Sequence, residues 1–237
     1  MHRMFHFFLI SLLMVSTIQC VNATSEPSTP HSILRELNEF SSLLNTSDWK
    51  SQKINQEHLP APYNDLLTQQ LLTPALENYY KRKAIIRVIQ AHQNPGSHTY
   101  SRMITMLLDS NKQRNDPQMA QELNESLIAE LAFITIYFKE LPQELVGEIT
   151  RSNIPFGTLL KKYGIIATST NRYYFKSQCN PELARTIQCS VNSTIYGRIN
   201  TLVRVDNHRV IARVIELLSG IRCQNRGCDV ILKDNRQ

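Results

Sequence analysis

The 237-residue sequence predicts an α+β domain with an antiparallel sheet, on three observations. Helical patterns come first in the chain. β-Branched and apolar runs follow, with short helical patterns between them. The chain then closes on two alternating runs joined by a tight turn. Taken in order, Thr29 can cap a helix with Pro30 at its first position, and Ile33, Leu37, Phe40 and Leu44 recur at helical spacing. Residues 45–58 are polar and carry the only tryptophan, Trp49. A second helix is expected from about Pro62 through Leu66 and Leu67 toward Leu71, and a third from Thr73-Pro74 to near Tyr80. Strands are expected at residues 84–90, 100–108 and 128–138. Asn94-Pro95-Gly96 makes the turn between the first two, and polar residues 111–125 read as an insertion before the third. Helices at 142–149 and 156–162 precede strands at 165–169 and 172–175. The closing hairpin pairs residues 197–205 with 209–218 across Asp206-Asn207-His208.

The first 23 residues read as a secretory signal peptide. His2 and Arg3 precede an apolar stretch from Phe5 to Val15 that is too short to span a bilayer as a helix. Val21 and Ala23 sit at the small-residue positions of a cleavage site, while Gln19 is too large for a lipoprotein site at Cys20. The expectation is an exported, periplasmic or secreted protein that begins at Thr24, with no membrane span left after cleavage. Beyond the leader, residues 24–58 form an N-terminal helix and polar leader, 59–218 the main domain, and 219–237 a cysteine-bearing tail. Charge is uneven: residues 24–150 hold 11 Lys/Arg against 15 Asp/Glu, and residues 151–237 hold 14 against 5. The basic half suits a small anionic ligand or a solvated face. Nucleic acid is not expected as a partner, because no Lys/Arg run with interleaved aromatics occurs.

Cleavage leaves four cysteines, Cys179, Cys189, Cys223 and Cys228, an even number that in an exported chain favours disulfides. Three pairings are open. Cys223 and Cys228 flank a short turn-forming segment, whereas Cys179 and Cys189 flank a short helical pattern that must fold back for them to meet. Free buried thiols are the main alternative. Zinc is disfavoured, because only His208 lies among these cysteines and no C-x-x-C spacing occurs.

Two charged residues stand in apolar company. Glu216 is in phase with Val210, Ala212 and Val214, so it either reaches solvent near the strand end or lies on a cavity floor. Arg102, among Met103, Ile104, Met106 and Leu107, needs an anion, either a structural acid or a ligand. No nucleophile elbow, His-Glu-x-x-His pair or phosphate-cradling glycine loop occurs. His58, His92, His98 and His208 are in polar or turn contexts and read as solvated.

The order of several motifs resembles the chorismate pyruvate-lyase family over roughly residues 59–218. The resemblance is carried by Leu59-Pro60-Ala61-Pro62 with the paired helices after it, by Tyr100-Ser101-Arg102-Met103-Ile104, and by Leu141-Pro142-Gln143-Glu144-Leu145 followed by Ile154-Pro155-Phe156-Gly157-Thr158-Leu159-Leu160. Tyr196-Gly197-Arg198 and Val214-Ile215-Glu216 complete it in the closing hairpin. Thr68-Gln69-Gln70 departs from the family's acidic-glycine turn, as do the insertion after Asp109, the tail and the leader. The resemblance implies an antiparallel sheet with helical flaps over an internal pocket. It also implies an elimination that splits chorismate into 4-hydroxybenzoate and pyruvate without metal or cofactor. Carried over, Arg102 and Glu216 would be catalytic, Arg102 on the ring carboxylate and Glu216 on the ring hydroxyl or ether region. Leu72, Phe156 and Gly157 would bind substrate through backbone amides and apolar contact. A second expectation from the same residues is an exported module that binds a small aromatic carboxylate without turnover.

Overall fold

A computed structural model describes residues 50–80, 82–109, 126–224 and 227–230. The expected signal peptide, the helix expected near residues 30–44, Trp49 and the polar insertion after Asp109 lie outside the described residues. Seven strands form one antiparallel sheet: β1 (Ser51–Ile54), β2 (Ala84–Asn94), β3 (Thr99–Asp109), β4 (Ser126–Tyr137), β5 (Ala167–Gln178), β6 (Thr194–Arg204) and β7 (Val210–Leu218). Their spatial order is β1-β5-β6-β7-β4-β3-β2. Helices α1 (Tyr63–Leu67) and α2 (Leu72–Tyr80) lie between β1 and β2; α3 (Gln143–Arg151) and α4 (Phe156–Lys162) lie between β4 and β5; and α5 (Pro181–Ile187) joins β5 to β6. A separate hairpin follows, β8 (Ile221–Gln224) with β9 (Gly227–Val230), in which Cys223 is in register with Cys228. The side chains of that hairpin are outside the described set.

Alternation along the strands assigns the two faces. Met103, Leu107, Leu131, Ile199, Ile215 and Leu217 pack with Leu183 and Ile187 of α5 on one face. On the other, Ile86, Ile104, Met106 and Ala132 meet Leu66, Leu67, Leu72 and Leu76 of α1 and α2. Farther along that face, Ile134, Leu202, Ala212 and Val214 meet Leu145, Ile149, Phe156, Leu159 and Leu160 of α3 and α4. The two helix pairs thus cover one sheet face side by side, and their N-terminal ends meet: a Cβ on Gly157 would come within 3.4 Å of Thr73 Oγ1. A close approach also fixes residue 197, where any Cβ would collide with the Glu216 carbonyl oxygen and the Phe175 ring. Only glycine lets β6, β7 and the Phe175 side chain lie this near one another.

Several elements differ from the sequence reading. Ser51–Ile54, within the stretch taken as polar leader, is an edge strand paired with β5. Its partly exposed side chains carry no apolar alternation. The strands expected at 165–169 and 172–175 are one strand, interrupted by a register shift between Thr170 and Tyr173 where Asn171 adopts φ 50°. Helix α2 begins one residue before Thr73, so Thr73 and Pro74 lie inside its first turn rather than opening it.

Cys179 and Cys189 form a disulfide with Cα atoms 6.2 Å apart. A straight helix over that separation would hold them ~15 Å apart, and the fold-back has a local cause. Asn180 caps α5 by accepting from the Leu183 amide at 2.8 Å, and Gln188 ends it in the left-handed region at φ 58°. Asn192 then donates to the Cys179 carbonyl, and Cys179 to that of Ser193. The closed loop sits on the Leu183–Ile187 core. Replacing Cys179 and Cys189 together with serine is expected to lower unfolding free energy by about 2–3 kcal/mol, the scale for a loop of this length. Denaturant unfolding of both forms checks this, and an unchanged midpoint would contradict it.

Candidate functional site

The face covered by the helix pairs carries four ionisable side chains in neighbouring positions. Register places Arg198 of β6 opposite Glu216 of β7, Glu216 opposite Ala132 of β4, and Ala132 opposite Ile104 of β3. Glu130 is two residues from Ala132 on the same face, and Arg102 two residues from Ile104. All four are buried, with relative exposures of 1–7%. They line one cavity of about 60 Å³ together with Leu72, Phe156 and Gly157. That is room for roughly four waters at ~10–15 Å³ each. The five residues expected from the sequence therefore converge, and Glu130 and Arg198 join them.

Arg198 and Glu216 neutralise each other. The Arg198 Nε–H donates to Glu216 Oε2. Arg198 Nη1 donates to the backbone carbonyls of Leu67, at 2.7 Å, and Gln69. Asn200 Nδ2 donates to the same Glu216 oxygen at 2.8 Å. Glu216 thus neither reaches solvent nor stands free opposite Arg102; it is held from β6 by a cation and an amide. The same Arg198 ties the loop between α1 and α2 to the sheet. Arg172 donates to the Thr68 carbonyl of that loop, and Gln70 Oε1 accepts from the Ser169 amide at 2.9 Å and from Thr168 Oγ1 at 3.0 Å. Thr68-Gln69-Gln70, the departure noted in the sequence, is this anchored wall.

Arg102 has no such partner. Its Nη1 donates to the Ile149 carbonyl at 3.1 Å and Tyr100 supplies a further polar contact, yet Nε is buried with no acceptor. Among the described residues no carboxylate pairs with it. Burial lowers its affinity for the proton, opposed by Tyr100; a guanidinium still stays charged in a protein. A buried positive charge without a counter-ion is expensive. The first turn of α2, beginning at Leu72 on the cavity wall, adds backbone N–H groups of the same polarity.

Glu130 is the residue the sequence reading passed over. Burial first, and the neighbouring Glu216 carboxylate second, push its carboxyl well above the usual carboxylate range, against a smaller pull from Arg198. Its Oε2 and the Oδ1 of Asn200 are buried without partners. A signal for it exists: Glu130 is a lone acid inside Leu127-Ile128-Ala129-Glu130-Leu131-Ala132-Phe133, the same kind of interruption that singled out Arg102 and Glu216. Among the described residues, no three His, Cys, Asp or Glu side chains cluster as metal ligands would. A second, larger groove of about 680 Å³ shares Gln70 and Leu71 with the cavity and runs along α1 and α2.

No protein-family model matches the chain, and no curated protein does. Solved structures with partial similarity include the effector domain of PhnF from Mycobacterium smegmatis, at 8% identity and TM-score 0.42, over 63% of this chain and 88% of that one. The ligand-binding domain of a Bordetella bronchiseptica protein assigned to the GntR family of transcriptional regulators matches at 11% identity and TM-score 0.36, over 65% and 90%. YydK from Bacillus subtilis matches at 11% identity and TM-score 0.41, over 87% and 83%. At these values the function has to be read from the chain's own residues.

The Glu130 carboxyl gives a signed pH dependence. A folded-state pKa raised above the unfolded one contributes stability that is full below the unfolded value, ~4.3, and is lost as pH rises through the folded one. Glu130→Gln copies the neutral acid and has no proton to lose. It is expected to match wild type in thermal midpoint near pH 4 and to exceed it by a few degrees at pH 7.5. A difference constant across that range, measured by calorimetry, would contradict the assignment.

Proposed function

We propose that this protein binds a small carboxylate, aromatic by preference, inside the sheet-and-helix cavity, with Arg102 as its anchor. The observation that carries the reading is the Arg102 guanidinium, 2% exposed, lining a cavity with Nε unpartnered and, among the described residues, no carboxylate paired with it. A planar carboxylate matches a guanidinium edge in two parallel hydrogen bonds and supplies the missing charge. Leu72 and Phe156 contribute apolar contact and first-turn amides, and Gly157 leaves space where α4 meets α2. A benzene ring fits a cavity of ~150 Å³. Seating an aromatic acid therefore requires the wall at Gln70–Thr73 to move outward, toward the groove that shares Gln70 and Leu71. Export through the N-terminal leader is part of this proposal, and the Cys179–Cys189 bridge supports an oxidising compartment.

A chorismate-lyase reaction is the second reading, favoured by Arg102 and Glu216 lining one cavity. Orientation and preorganised charge would carry such an elimination. The Glu216 Oε2 already accepts from Arg198 and Asn200.

In titration calorimetry, Arg102→Ala is expected to weaken 4-hydroxybenzoate binding by about 2–4 kcal/mol. Arg102→Lys should weaken it as well, because a point charge cannot copy a two-pronged contact. Equal affinity in all three forms would place the ligand elsewhere. Incubation of wild type with chorismate is expected to release no 4-hydroxybenzoate above the uncatalysed rate. Release that is abolished in Glu216→Gln would establish the lyase reading instead.

A further inference from the structure

The cavity is chemically two-ended. Arg102 on β3 marks one end. Glu130 lies four residues along β4 from Ile134, the residue opposite Arg102, a displacement of ~13 Å along the strand. Both side chains line the same cavity, so they approach it from positions separated along the sheet. The two ends differ in what they lack. At one, a nitrogen of a buried cation has no acceptor; at the other, Glu130 Oε2 is buried with no partner.

We infer that Glu130 reads the far end of the bound carboxylate by hydrogen-bonding an uncharged oxygen there, so that the site selects monocarboxylates bearing a neutral hydroxyl or carbonyl group. This rests on the carboxylate site proposed above. Glu216 lines the cavity too, and its Oε2 already accepts from both Arg198 and Asn200, with Arg198 continuing into the loop carbonyls. Among the described residues no donor reaches Glu130 Oε2. The charged groups around it are Glu216 on β7 and Arg198 on β6. The cavity lining contributed by α2 and α4 carries no charged side chain.

The charge balance points the same way. Arg198 and Glu216 cancel, burial and the neighbouring Glu216 carboxylate push the Glu130 carboxyl well above the usual carboxylate range and so favour its neutral form, and Arg102 pairs with no carboxylate among the described residues. A monoanion neutralises the set. A dianion of the same length would bring a second carboxylate to the end already occupied by two carboxyl groups, with no free cation to meet it. A neutral carboxyl is also the form of glutamic acid that can donate as well as accept. A site built to hydrogen-bond a hydroxyl discriminates strongly against the analogue lacking it, because its own polar atoms are then left unpaired.

The test compares benzoate, 4-hydroxybenzoate and terephthalate on wild type, Glu130→Gln and Glu130→Leu by titration calorimetry at pH 7. Infrared spectra of the ligand-free proteins run alongside. Wild type is expected to bind 4-hydroxybenzoate about tenfold or more tightly than benzoate, and terephthalate at least about tenfold more weakly than 4-hydroxybenzoate. In Glu130→Leu the preference for the hydroxyl should vanish while benzoate affinity stays within about threefold; Glu130→Gln should keep part of it. The ligand-free wild type should show a protonated-carboxyl band that is absent from Glu130→Gln. A hydroxyl preference unchanged in Glu130→Leu, or a missing carboxyl band in a protein that binds, overturns the role of Glu130 and leaves the carboxylate site standing. Failure of the wild type to bind any of the three overturns the carboxylate reading and this inference together.

Discussion

Two guanidinium groups and two carboxyl groups are buried on one face of a seven-stranded sheet, and the arrangement around that face follows from the need to neutralise them without water. Each would carry a desolvation cost of several kcal/mol if left alone. Three of the four are dealt with internally. Arg198 and Glu216 form an ion pair, Asn200 shares the Glu216 oxygen, and burial beside Glu216 favours the neutral form of the Glu130 carboxyl. Arg102 is the remainder. Among the described residues it is met by one backbone carbonyl and a tyrosine and by no carboxylate, and that imbalance is what the proposed carboxylate site rests on.

The same ion pair ties site to scaffold. Arg198 spends one nitrogen on Glu216 and another on the carbonyls of Leu67 and Gln69, which close the C-terminal end of α1. Arg172 and Gln70 fasten the next residues to β5. The loop between α1 and α2 is thus a cavity wall pinned by polar contacts, with apolar packing of Leu66, Leu67, Leu72 and Leu76 on either side. Polar pins release at lower cost than packed side chains, because water replaces a broken hydrogen bond but not a filled core. This wall is shared with the outer groove at Gln70 and Leu71, and it is the part of the lining that the proposed ligand would have to displace.

What was legible in the sequence follows from which signals are local. The closing hairpin was plain, because alternation over residues 210–217 is a period-two pattern with one reading. Helix α4 and the convergence of Arg102 and Glu216 came from apolar runs broken by one charge and from the resemblance. Edge strand β1 was illegible: four residues with exposed lysine and glutamine carry no face, and only pairing with Ser177 to Tyr174 makes them a strand. The partner of Glu216 was also out of reach. Arg198 and Glu216 are eighteen residues apart, and nothing in either segment states that register places them side by side. Glu130 was missed for a different reason. Its signal was present, a lone acid in an apolar strand, but the resemblance drew attention to other residues. The disulfide was left open because spacing alone put its cysteines too far apart; the cap at Asn180 and the left-handed Gln188 supply the turn.

The central claim is that Arg102 is the unsatisfied charge a ligand completes. The most direct measurement is the proton resonance of the Arg102 Nε–H, identified by its loss in Arg102→Lys, followed while benzoate is added. The account predicts that this proton moves downfield and exchanges more slowly with water as the carboxylate takes the empty position at Nε. A resonance that stays in place while benzoate binds would show that the charge is satisfied within the fold and that the ligand sits elsewhere.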